Sequence, residues 1–145
     1  MTPDIRAAFA NFSTEVTKQL VMIRTWIFEI AHANDDIGKV QECLKWNEPS
    51  YLTSSPKSGT TLRISQVDEH HYGLFVHCQT SLIEEFKLAY PDLTYDKNRG
   101  VIFDARNSKQ ENAIKQFIYM ALTYHVRKLN NKRENILNHT GHRQH

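Results

Sequence analysis

Hydrophobic positions near the start of the chain recur at helical spacing. Pro3 suits a first helical turn, and Ile5, Phe9 and Phe12 share the face that follows. Ser13 reads as the N-cap of a second helix, whose stripe is Val16, Leu20, Ile23, Ile27 and Ile30. Asn34, Asp35 and Asp36 favour a turn after it. Ile37, Val40, Cys43 and Leu44 then suit one face of a short third helix, closed by Asn47 in a left-handed conformation and by Pro49.

The period changes beyond Trp46. Tyr51–Thr53 reads as a short strand, and residues 54–59 form a turn by composition. Leu62 and Ile64 alternate with polar residues, and Tyr72–Cys78 reads as a more central strand. Thr80 or Ser81 caps a helix carrying Leu82, Phe86 and Ala89 and ended by Pro91. Residues 93–95 and 101–103 flank a hairpin turn in which Gly100 supplies a positive φ. Ser108 and Glu111 make a capping box for one long last helix carrying Ile114, Phe117, Ile118, Ala121, Leu122 and Val126. The prediction is an α+β fold, with a mainly antiparallel sheet of about five strands packed against N- and C-terminal helices. Residues 1–128 form the single domain, and the polar, His-containing stretch 129–145 is a frayed, mobile tail.

Composition agrees with this and narrows the function. With 40% hydrophobic residues, 23% charged residues, 5 Gly and 4 Pro, the 145-residue chain has enough apolar surface for one core and is neither disordered nor low in complexity. A formal net charge of +2 argues against a dedicated nucleic-acid or membrane binder. Leu20–Ala33, the most apolar stretch, carries Arg24, Glu29 and His32 and is too short and charged to span a bilayer. The N-terminus lacks a secretory pattern. Cys43 and Cys78 have no metal-finger spacing and read as small buried hydrophobes of a reduced, cytoplasmic protein.

Motifs for catalysis are missing: there is no phosphate-binding glycine loop, no nucleophile elbow and no HExxH. His77 and Cys78 are neighbours on a predicted strand and so point to opposite faces, which is no nucleophile–base pair. The expectation is a non-enzymatic protein. Asp68, Glu69, His70 and His71 form the densest metal-compatible cluster, although consecutive turn residues rarely converge on one ion. His139, His142 and His145 are spaced for weak metal affinity on a helical tail, and His125 reads as a core histidine bonded to a carbonyl. Arg127, Lys128, Lys132 and Arg133 suit the end of a helix, where the macrodipole favours cations.

Lys45-Trp46-Asn47-Glu48-Pro49-Ser50-Tyr51 differs in kind, with Trp, Pro and Tyr at a helix-to-strand corner. The aromatic pair either closes the core there or floors a pocket, with Lys45 and Glu48 at its rim. This segment resembles the K-W-G-x-P-x-Y signature of the YdhG-like family, a family of unknown function, and the resemblance extends over about residues 16–128. Asn47 departs from the signature glycine, and Asn is the next-best residue in the left-handed region.

The resemblance implies a small cytosolic α+β domain, some of whose relatives are described as frataxin-like iron chaperones. Two functions follow as expectations. The first is an accessory domain, monomer or weak homodimer, that binds a protein or small molecule through Lys45, Trp46, Glu48, Pro49 and Tyr51. The second is an iron carrier holding Fe(II) through Asp68, Glu69, His70 and His71. No nucleic acid or membrane enters either.

Overall fold

The computed structural model describes residues 1–143, with side chains through residue 138. Two helices, α1 (Pro3–Ala10) and α2 (Thr14–Ala33), precede four strands: β1 (Lys39–Lys45), β2 (Glu48–Ser54), β3 (Leu62–Gln66) and β4 (His71–Phe75). Helix α3 (Leu82–Ala89), strands β5 (Thr94–Asp96) and β6 (Gly100–Asp104), then α4 (Glu111–Leu122) and α5 (Tyr124–Arg143) complete the chain. The strands form one six-stranded sheet in the order β1-β2-β3-β4-β6-β5. Every pairing is antiparallel. The fold is α+β, as the periodicity predicts.

Helices α1 and α2 form where the apolar spacing places them. The Ser13 hydroxyl accepts from the Val16 N–H at 3.3 Å, which caps α2, and donates to the Glu69 carbonyl at 3.0 Å, tying the cap to the β3–β4 turn. Val16, Leu20, Ile23 and Ile27 are fully buried. They meet Ile114, Phe117, Ile118 and Ala121 of α4 and one face of the sheet, to which Tyr51, Leu62, Ile64, Tyr72, Leu74, Val101 and Phe103 point. Strand alternation sends Arg63, Ser65, Gly73 and Phe75 to the opposite face.

The expected third helix is instead β1, so the sheet has six strands rather than about five. Lys39 to Lys45 pair residue for residue with Ser54 to Glu48, and Trp46 and Asn47 form a two-residue hairpin turn. Both turn residues have positive φ, 55° and 61°, the signature of a type I′ turn. Asn47 is left-handed as the sequence suggests, but it turns a hairpin rather than ending a helix. Glu42 explains why the strand pattern is hidden. It lies on the same side as Val40 and Leu44, opposite Tyr51, and so places a charge among the inward positions. Arg24 of α2 neutralises it, with Nε at 2.5 Å and Nη2 at 2.9 Å, and the Tyr51 hydroxyl donates to it at 2.9 Å.

Residues 55–61 are a loop, but an inserted one. Ser58 is fully buried, and its hydroxyl accepts from the Gly38 N–H at 3.0 Å. Its carbonyl accepts from the His125 and Val126 N–H groups, at 2.8 and 3.2 Å, satisfying the start of α5. The Thr60 N–H donates to the Ala121 carbonyl at the end of α4, 2.9 Å away. This loop is why the single long C-terminal helix of the sequence reading is two helices meeting at Thr123. Arg127 donates to the Met120 carbonyl at 2.8 Å and so caps α4, and both Arg127 and Lys128 pair with Glu85.

Four smaller expectations are corrected. Gly100 has no positive φ; in that turn the left-handed residue is Lys97, at 50°. Helix α4 begins at Glu111 with Gln110 at its N-cap, so Ser108 makes no capping box. Cys78 is exposed and Cys43 half-buried, so neither is a core thiol. His125 is exposed, its ring against Tyr124 rather than in the core. Residues 129–138 are exposed and helical within α5, while the side chains of His139, His142 and His145 lie outside the described residues.

Candidate functional site

The sheet face turned away from the helices carries a cavity of about 320 Å³. Its floor is Phe75, whose ring lies along the sheet because Gly73 and Gly100 have no side chains beneath it. A Cβ at either glycine would stand 2.5 Å from the ring. Arg63, opposite Phe75 in register, holds its guanidinium 5.3 Å from the ring centroid, a cation–π contact. Lys45 and Trp46 of the β1–β2 hairpin form one wall, and Val76, His77, Cys78 and Arg99 form the other.

That second wall is fixed by its own hydrogen bonds. The Val76 N–H donates to the Arg99 carbonyl at 2.8 Å, and Asn98 Nδ2 donates to the Cys78 carbonyl at 2.9 Å. Strand β4 ends at Phe75, earlier than the alternation predicts, so His77 and Cys78 both line the cavity instead of opposing faces. Nδ1 of His77 accepts from the Gln79 N–H at 3.1 Å, which places the neutral ring's proton on Nε2.

Charge in the cavity is one-sided. Lys45, Arg63 and Arg99 line it, and among the described residues no carboxylate does. Arg63 pairs with Glu48 at 3.2 Å and Arg99 with Asp96 at 3.0 Å, both partners standing outside the lining. Such half-exposed pairs are worth about 1 kcal/mol or less each and yield readily to a competing anion.

Of the residues expected to bind a ligand, Lys45 and Trp46 line this cavity and Glu48 touches it through Arg63. Pro49 is buried, and Tyr51 is fully buried on the helix side, its ring edge-on to Phe28. The hairpin separates them because residues 46 and 51 fall on a turn and on an inward strand position. Arg63, Phe75, His77 and Arg99 escaped the sequence reading. The signal for the floor was Gly73 two residues before Phe75, a spacing that opens one strand face to a ring.

The expected metal cluster divides into pairs. His70 Nδ1 lies 2.6 Å from Glu15 Oε2, and His71 Nδ1 lies 2.7 Å from Asp68 Oδ1, with Asp104 3.6 Å from Nε2. Asp104 is itself held by Arg106 at 2.8 Å, which drives its carboxyl well below the ordinary range. Glu69 is mostly exposed, 3.8 Å from His70. Among the described residues no three such side chains are placed to hold one metal ion.

The hydrogen bond that His70 Nδ1–H donates to Glu15 raises the His70 pKa above its usual 6.5, against desolvation and the charge of Arg106. A raised folded pKa means the pair stabilises fully below pH 6.5 and loses its effect as pH rises through the higher value. Glu15→Gln is therefore expected to lower the melting temperature more at pH 5.5 than at pH 8.5. Equal losses at the two pH values would show that the pair carries no charge.

No protein-family profile and no curated protein matches the chain. A solved structure does: a Bacillus subtilis protein of the DUF1801 family, YdhG, with a TM-score of 0.56 over 80% of this chain and 86% of that one. The two share a fold. At 14% sequence identity the likeness is one of architecture, an antiparallel sheet with helices packed on it. Among the described residues no helix is long and apolar enough to cross a membrane.

Proposed function

We propose that this chain is a non-enzymatic binding domain whose ligand site is the cavity on the open sheet face, entered beside Trp46. One observation carries the reading: Trp46 is 85% exposed and holds a φ of 55°. A bulky residue in the left-handed region costs roughly 1–2 kcal/mol. A type I′ turn prefers Asn, Asp or Gly at both central positions, so folding gains nothing from tryptophan there. An indole held with strain at the rim of a cationic cavity is accounted for by contact with a ligand.

Glycine at this position relieves the strain and removes the indole. Trp46→Gly is expected to keep the melting temperature or raise it, by up to about 1 kcal/mol of stability, while removing binding. The measurement is a fragment screen on the full chain, read from backbone amide resonances. Fragments that shift Phe75, His77 and Arg99 in the native chain and not in the variant support the site. Fragments that bind elsewhere, or a variant that melts several degrees lower, would refute it.

The arrangement of Asp68, Glu69, His70 and His71 does not favour an iron-carrying role. The cavity also offers no assembled nucleophile, since His77 Nδ1 is engaged by Gln79 rather than by Cys78.

A further inference from the structure

We infer that the ligand of this cavity is a small aromatic acid, one or two fused rings bearing a carboxylate. The inference rests on the binding role proposed above and adds the chemistry of what is bound. Three features converge. The volume, about 320 Å³, lies at the lower end of the roughly 300–1,000 Å³ of small-molecule pockets, which suits a compact ring system.

The two flat surfaces are aromatic. Phe75 lies along the floor and is already covered by the Arg63 guanidinium, so the open stacking surface is the exposed indole of Trp46. The charged groups are all cations. Lys45 makes no ion pair among the described residues, and Arg63 and Arg99 each hold one half-exposed carboxylate that a ligand carboxylate can replace. A planar guanidinium fork matches a carboxylate in two-point geometry. A ligand ring on Trp46 with its carboxylate among Lys45, Arg63 and Arg99 uses the indole and the cations at once. An uncharged ring leaves Lys45 without a counter-charge, and an aliphatic acid leaves the indole uncovered.

The test is a titration of the full chain with three probes, 1-naphthoate, 1-naphthalenemethanol and cyclohexanecarboxylate, followed by amide resonances and indole fluorescence. The expected result is saturable one-to-one binding of 1-naphthoate that shifts Phe75, His77 and Arg99. The other two probes should bind at least about tenfold more weakly. Arg99→Gln is expected to weaken 1-naphthoate about tenfold and to leave the melting temperature within a degree or two, since only an exposed pair with Asp96 is lost.

Naphthalenemethanol binding as tightly as naphthoate would overturn the aromatic-acid assignment while leaving the cavity a binding site. Equal binding by cyclohexanecarboxylate would do the same by removing the need for a ring. If no probe moved a resonance of the cavity and the fragment screen also found nothing there, the binding role itself would fall.

Discussion

Gly59→Ala is expected to cost at least about 3 kcal/mol and to lower the melting temperature by roughly 6–12 °C. Gly59 lies in the inserted loop between Ser58 and Thr60, with its N–H donating to Thr53 Oγ1 at 2.9 Å. A Cβ there would stand 2.4 Å from the Ala121 carbonyl oxygen and 2.5 Å from the Leu122 Cα. Both are backbone atoms at the end of α4, so no rotamer change can make room. Relief requires moving the loop away from the helix, and that motion breaks the bonds Ser58 and Thr60 make to α5 and α4. Gly59 has no positive φ, so the cost is steric rather than conformational. The control is Gly100→Ala, where the close neighbour is the Phe75 ring, a side chain that can turn. Thermal unfolding of both variants decides the matter. A loss at Gly59 no larger than at Gly100 would mean the loop is not seated against α4 as described.

The second large effect is expected beneath the β1–β2 hairpin. Glu42→Ala should cost about 3 kcal/mol, and Tyr51→Phe about 1 kcal/mol. The Glu42 side chain is 10% exposed and accepts from both Arg24 and Tyr51. Removing it leaves an Arg24 side chain that is only 23% exposed without its counter-charge, and a hydroxyl in a fully buried residue without an acceptor. Tyr51→Phe removes one donor and leaves the Arg24–Glu42 pair whole. Burial, then the neighbouring Glu42 charge, raises the Tyr51 pKa far above its usual value, so the phenol stays protonated and keeps donating across the working pH range. Denaturant unfolding of the two single variants and the double variant measures the coupling. Equal losses for the two single variants would show that the charge on Glu42 contributes nothing beyond its hydrogen bond to Tyr51.

These two sites also mark the limit of what could be read from residue order. Helices α1 and α2, strands β3 and β4 and the β5–β6 hairpin follow from apolar spacing, because their buried sides are apolar throughout. Strand β1 does not, because Glu42 occupies an inward position that only Arg24, 18 residues earlier, makes tolerable. Without that partner in view, Ile37, Val40, Cys43 and Leu44 fit a helix better than a strand. The break at Thr123 was hidden in a similar way: its cause, Ser58, lies more than sixty residues upstream. The candidate site was legible in half. Lys45 and Trp46 stood out as an unusual cluster, whereas Arg63, Phe75 and Arg99 come from three separate segments that only the sheet assembles.

The flat ring of Phe75 has a consequence for how such a domain can diversify. The depth of the cavity is set by two missing side chains, at Gly73 and Gly100, rather than by any residue that points into it. A single methyl at either position would tilt the ring upward, making the recess shallower without touching Trp46 or the cations around it. Ligand size and ligand charge are thus adjusted by different residues. Chains with this architecture could change the size of what they hold through two backbone positions while keeping one chemical preference.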